Sequence, residues 1–168
     1  MTISMYQITV PVFKRTLNNL TAILNKAAAH AEARKIDPAV FISSRLAPDM
    51  LPLARQVQIA TDAVKGCAAR LAGVDIPSFA DTEATFPELV ERVAKTQAFL
   101  DGISAAQLEG SEDRTVTLQI RGNDVQFKGM AYLQGFVLPN LYFHVTTTYA
   151  ILRHNGVELG KMDYLGGN

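Results

Sequence analysis

Phe13, Leu17, Leu20, Leu24, Ala27 and Ala31 recur at intervals of three and four, which places them on one face of a helix. The pattern predicts a first helix from about Ser4 or Val10 to Arg34. Either Thr9 caps it ahead of Pro11, or Pro11 kinks a longer helix. Asp37-Pro38 then opens a turn or short helix carrying Val40, Phe41 and Ile42. Met50, Leu53, Val57, Ala60, Val64, Cys67 and Leu71 form a second series, alternating three and four. That is a bundle seam, and it predicts a second helix from about Pro48 to Leu71, with Gly73 as its stop. Residues 73–84 are poor in helix formers and read as a connector. Thr85-Phe86-Pro87-Glu88 has the form of a capping box, so a third helix starts there and its stripe of Leu89, Val93, Thr96, Phe99, Leu100 and Ile103 runs to about Asp101 or beyond.

The period changes between Arg114 and Lys128. Val116, Leu118 and Ile120 alternate with polar residues, Gly122-Asn123-Asp124 supplies turn chemistry, and Val125 and Phe127 alternate again. This is the pattern of a β-hairpin, which needs the helices for support. A fourth helix is predicted from about Met130 to His154, ended by Asn155-Gly156. The tail 157–168 keeps Val157, Leu159, Tyr164 and Leu165, enough to dock on the body. The fold class predicted is all-α: a four-helix bundle with a small hairpin between the third and fourth long helices.

The chain has 168 residues, which fits one domain spanning 1–168. Lys and Arg number 16, as do Asp and Glu, and apolar residues make up 48%. That balance excludes a disordered chain and argues against a nucleic-acid partner held by bulk charge. A single cysteine, Cys67, excludes an internal disulfide framework and a Cys-based zinc site. The N-terminal residues lack the basic region and cleavage pattern of a secretory signal. Residues 129–152 carry no formal charge over 24 positions, the length of a membrane span. They include Gln134, Pro139, Asn140, His144 and three threonines, so a helix buried in a bundle is the better reading. The expectation is a cytoplasmic protein with no membrane partner.

The fourth helix carries the most suggestive chemistry. Asn140, His144 and Thr148 are spaced by four and form one polar line beside its apolar face. A buried polar line needs partners from other helices, water or a ligand. One reading is a ligand pocket in the bundle core; the other is a core histidine satisfied by Asn and Thr. Asp49 and Gln56 lie seven apart near the start of the second helix and could line the same cavity from across the bundle. His30 and His154 sit near helix ends, and there is no HxxxH or HExxH motif. Cys67, on the seam, reads as a buried structural thiol.

The stretch Arg45-Leu46-Ala47-Pro48-Asp49-Met50-Leu51-Pro52-Leu53, continuing to Gln56-Val57-Gln58, resembles the opening of the second helix in an uncharacterised bacterial branch of the DinB/YfiT-like superfamily. Pro139-Asn140-Leu141-Tyr142-Phe143-His144, continuing through 149–157 to 160–166, is similar to the same branch. The resemblance implies an up-down-down-up bundle and a homodimer. It also implies a metal site of three histidines, one from the second helix and an HxxxH pair from a later one. Here the second helix has no histidine, and His144 stands alone with Asn140 and Thr148 four residues to either side. The expectation is therefore no metal ligand set and no cofactor. Three functions remain open: a bundle that binds an unidentified small molecule, a metal-assisted or thiol-dependent transferase or hydrolase using His144, and a homodimeric interaction protein.

Overall fold

The computed structural model describes residues 3–167. Its four long helices are α1 (Val10–Arg34), α3 (Leu53–Ala72), α4 (Phe86–Asp101) and α6 (Leu138–His154), and α2 (Pro38–Ser43) is a short helix between the first two. α3 packs against both α4 and α6, while α1 packs chiefly against α4. The predicted seams are the buried ones except at Met50, which is half-buried in the turn ahead of α3. Phe13, Leu17, Leu20, Leu24, Ala27 and Ala31 on α1 are all fully buried, as are Leu53, Val57, Ala60, Val64, Cys67 and Leu71 on α3. Each large aliphatic or aromatic side chain so buried contributes about 1.5–3 kcal/mol.

The local signals set the helix ends in two different ways. The capping box at α4 forms as predicted: Glu88 N–H donates to Thr85 Oγ1 at 3.3 Å, and Glu88 Oε2 accepts from Thr85 N–H at 3.0 Å. Asp37 accepts from Ala39 N–H and starts α2. Thr9, by contrast, does not cap α1 with its side chain. Its hydroxyl donates backwards to the Met5 carbonyl at 2.7 Å, and only its own carbonyl serves the helix. The second long helix starts at Leu53, later than the predicted Pro48. Proline disfavours the helical conformation in the residue before it, so Pro52 keeps Leu51 out of the helix, and Ala47–Met50 closes a turn instead.

The hairpin pairs β1 (Thr115–Ile120) with β2 (Asn123–Lys128), from Thr115↔Lys128 to Ile120↔Asn123. Its turn is Arg121-Gly122, one step earlier than the predicted Gly122-Asn123-Asp124. Both central residues have positive φ, 51° and 82°, the conformation whose twist matches a two-residue hairpin. Val116 and Leu118 face the helices and are buried.

β2 runs straight into α5 (Gly129–Tyr132), which continues through one π turn at Leu133–Val137 into α6. A Cβ at Gly129 would lie 1.9 Å from the Ser111 carbonyl oxygen, so only glycine fits that junction. The π turn has a local cause. Pro139 has no N–H, and its ring crowds the carbonyl four residues back; the wider turn absorbs both. Of the tail expected over 157–168, Asn168 lies outside the described residues. α7 (Lys161–Leu165) lies against α1, where Asn19 donates to the Tyr164 carbonyl at 2.9 Å and Lys26 pairs with Asp163 at 2.5 Å. Among the described residues no helix is long and apolar enough to cross a membrane.

Candidate functional site

His144 sits midway along α6 and is 8% exposed; Gln56, one turn into α3, is 1% exposed. Their side chains meet across the interface of α3 and α6, with His144 Nδ1 2.7 Å from Gln56 Oε1. The roles of the atoms follow from a third group. Gln56 Nε2 donates to the Leu51 carbonyl at 2.9 Å. A carbonyl can only accept, so the amide must turn its NH2 to Leu51 and its oxygen to the imidazole. Nδ1 therefore carries the proton. Burial lowers the pKa of His144 below the ordinary histidine value, so at neutral pH the ring is uncharged and Nε2 holds a lone pair. Every buried side-chain nitrogen and oxygen among the described residues has a partner, whereas Nε2 has none among them. Nε2 is thus the atom of the ring that reaches solvent. Phe143 stands edge-on to the ring at 5.2 Å and is 55% exposed.

The other expected site residues go elsewhere. Thr148 is fully buried, and its hydroxyl donates to the His144 backbone carbonyl at 2.9 Å, a bond within its own helix. Asn140 is half-buried in a separate cleft of about 530 Å³ between α3, β1 and the start of α6. Asp49 is exposed in the turn ahead of α3 and does not share a helical face with Gln56. Of the five sequence-predicted residues, the structure brings together only Gln56 and His144. None of five clefts of 360–570 Å³ is lined by either residue.

His30 packs edge-on to Phe41 at 6.0 Å and His154 is exposed, so the three histidines stay apart. Cys67 is fully buried, and burial pushes its thiol up to about 12, against the weaker opposing pull of Arg70. Among the described residues no three His, Cys, Asp or Glu side chains gather as metal ligands. The donor set near His144 does not fit a three-imidazole centre either. Gln56 Oε1 is occupied by Nδ1–H, and the Thr148 hydroxyl by its own helix. That leaves one imidazole nitrogen, where zinc-type ions take several N or S donors.

A second polar cluster was not anticipated. Arg92 on α4 is buried and reaches Thr61 at 2.8 Å, Asp62 at 2.9 Å, Glu83 at 2.9 Å, Asp81 at 3.0 Å and the Ala80 carbonyl at 3.1 Å. Lys65, also buried, pairs with Asp62 at 2.9 Å and lies 3.9 Å over the Phe79 ring. The signal in the sequence was Arg92 itself, three residues after Leu89 and four before Thr96 on the buried face of its helix. A buried guanidinium requires acidic partners, and the connector supplies Asp81 and Glu83.

Comparison with known proteins gives two findings. The family described as a domain of unknown function, DUF1993, matches residues 5–165. A crystal structure of a DinB family member protein from Shewanella denitrificans is 44% identical, with a TM-score of 0.91, over 97% of this chain and 92% of that one. Comparison with curated proteins gives no match.

Proposed function

We propose, for a chain that belongs to the DUF1993 family, a DinB-like bundle that binds a small molecule through His144 and has lost the three-histidine metal site of its superfamily. The long helices would run up-down-down-up. The observation that carries the reading is the 2.7 Å contact between His144 Nδ1 and Gln56 Oε1, with Gln56 itself held by the Leu51 carbonyl. It fixes one tautomer and leaves the Nε2 lone pair as the group on offer. A neutral imidazole nitrogen in that state accepts a hydrogen bond from a hydroxyl, thiol or amide N–H. The same lone pair is what a general base would use. A transferase or hydrolase acting through His144 would therefore share this geometry, without a metal.

Elemental analysis of untagged protein purified without chelator tests the loss of metal chemistry, with His144→Ala beside it. The expected result is no stoichiometric metal in either. Close to one equivalent in the native protein, absent from the variant, would overturn the reading. The ligand half is tested by following the His144 imidazole nitrogens by NMR against a library of small hydroxyl, thiol and amide compounds. A saturable shift at Nε2 supports it, and an Nε2 that no compound in the library moves counts against it.

A homodimer is the second reading. Tyr142 and Phe143 are 41% and 55% exposed on α6, and Leu51, held to Gln56 by its carbonyl, is 44% exposed. A second copy of the chain over these side chains would bury an apolar patch and wall the open side of His144. Light scattering of the native protein and Phe143→Glu tests it. A native dimer made monomeric by the substitution is expected, and a monomeric native protein at micromolar concentration sinks the idea.

A further inference from the structure

Arg70, half-buried on α3, has no charged partner among the described residues. Arg55, Arg92 and Lys65 all pair with carboxylates, whereas among the described residues no carboxylate comes within ion-pair distance of Arg70. Its only side-chain partner among the described residues is neutral: Nη1 donates to the Tyr132 hydroxyl at 3.1 Å. The guanidinium is nonetheless held in a defined place. It folds back one turn along α3 over Gly66, where an added Cβ would lie 2.5 Å from Nη1. Tyr132, fully buried and stacked on Phe136 at 6.0 Å, fixes the other side. Among the described residues no buried side-chain nitrogen lacks a partner, so the guanidinium Nε and Nη2, which have none, reach solvent.

Arg70 lines two openings: one toward residues 76–79, which also carries Asp62 and Asp81, and the cleft of about 530 Å³ that also holds Asn140. The volume of the second lies within the ordinary range of small-molecule sites. Arg70 and Ile59 come from α3, Leu118 from β1, and Phe136 and Asn140 from the far wall. The Asn140 amide makes no hydrogen bond among the described residues. Asp62 is the one carboxylate on the lining, and Lys65 and Arg92 both hold its Oδ1 at 2.9 Å. Its charge is already balanced and does not answer Arg70. A pinned, unpaired guanidinium facing an apolar wall, with a free amide opposite, has the chemistry of an organic-acid site: a planar fork for two carboxylate oxygens and a surface for a hydrocarbon body.

We propose that the cleft between α3, the hairpin and the start of α6 binds a small monocarboxylate with an aryl or alkyl body, anchored on Arg70. The inference is independent of the role given to His144, which does not line this cleft.

The test is NMR titration of the full chain with phenylacetate, hexanoate and benzoate, and with phenylacetamide as the uncharged isostere of phenylacetate. The expected result is saturable shifts at the Arg70 and Asn140 side chains and along 117–120 for at least one carboxylate, and none for the amide. Arg70→Gln should weaken that binding at least about tenfold, a free-energy change of about 1.4 kcal/mol. Gly66→Ala is the control for folding. Alanine is the better helix former, and only the guanidinium of Arg70 has to yield to it. The variant should stay folded and keep the charge, yet lose affinity because the guanidinium is displaced. Equal binding of phenylacetamide, unchanged affinity in Gly66→Ala, or no saturable binding by any of the three acids would overturn the proposal. Shifts confined to 76–79, on the other side of Arg70, would overturn it as well.

Discussion

Glu83 and Arg92 are joined at 2.9 Å although one lies in a connector without regular structure and the other on α4. Gln58 on α3 donates to the same carboxylate at 2.7 Å, and Arg92 continues to Thr61 on α3. One carboxylate and one guanidinium thus fasten the connector 73–84 to two helices at once. The segment has few buried apolar residues of its own, so these charged hydrogen bonds replace a hydrophobic anchor.

Arg92→Ala should destabilise the fold by about 3 kcal/mol, the low end of the range for breaking a buried pair. The low end applies because two of the stranded carboxylates, Asp62 and Asp81, are 45% and 39% exposed and can rehydrate. Urea unfolding measures this. Arg92→Lys should recover only part of the loss, because an ammonium cannot reach as many partners as the guanidinium fork. A change under about 1 kcal/mol for Arg92→Ala would mean the cluster is a solvated surface network.

Stability should fall as pH falls, in two separable steps. Burial lowers the His144 pKa, so the unfolded chain takes up this proton first. Its contribution is complete above the unfolded value near 6.5 and is lost as pH falls from there through the folded pKa. Glu83 and Asp81 follow. Burial raises both, but hydrogen bonds from Arg92 and Gln58 to Glu83, and from Arg55 and Arg92 to Asp81, outweigh it and lower both pKa values. Their contribution is present above the unfolded carboxylate range and is lost as pH falls through the folded values. Urea midpoints between pH 8 and pH 3, on the order of the range spanned by these groups, should show both steps. His144→Gln should remove the first and leave the second.

The helical stripes and the α4 cap were legible because each depends on residues within a turn of one another. The seam of α3 could be read from Leu53 to Leu71 without knowing what it packs on. The candidate site was legible only as a contact between Gln56 and His144. Asn140 and His144 do share a line on α6, but four residues are about 6 Å of rise. Over that distance the neighbours change from the hairpin and Arg70 to Gln56. No periodicity in the fourth helix encodes where a hairpin will lie. Asp49 was misplaced for a different reason, since Pro52 delays the start of α3 and breaks the helical phase that would have related it to Gln56. The Arg92 cluster joins residues up to 31 positions apart through an irregular segment, which a reading by local period does not connect.

The α4 cap makes a small and specific prediction. Thr85→Ala removes the acceptor for Glu88 N–H and should cost about 1 kcal/mol. Thr85→Ser keeps the hydroxyl and should cost less. Thr9→Ala tests the contrast, because its hydroxyl donates to the Met5 carbonyl and caps nothing with its side chain. Its effect should appear as faster amide exchange before α1, around 5–8, and leave exchange at the first turn of the helix unchanged. Hydrogen exchange on the two variants distinguishes a side-chain cap from a backward turn bond.

Cys67 should be chemically silent in the folded protein. The thiolate is the reactive form, and burial holds the thiol up at about 12. Arg70 pulls the other way, but its guanidinium is turned to Tyr132 and the desolvation of a fully buried sulfur outweighs it. Labelling by an aromatic disulfide reagent should therefore proceed only through opening of the bundle. At high reagent concentration its rate should level off at the unfolding rate, and in urea it should rise with the unfolded fraction. Stoichiometric labelling within seconds in native buffer would show that α3 opens locally at Cys67, and would turn attention to a thiol-dependent reaction there.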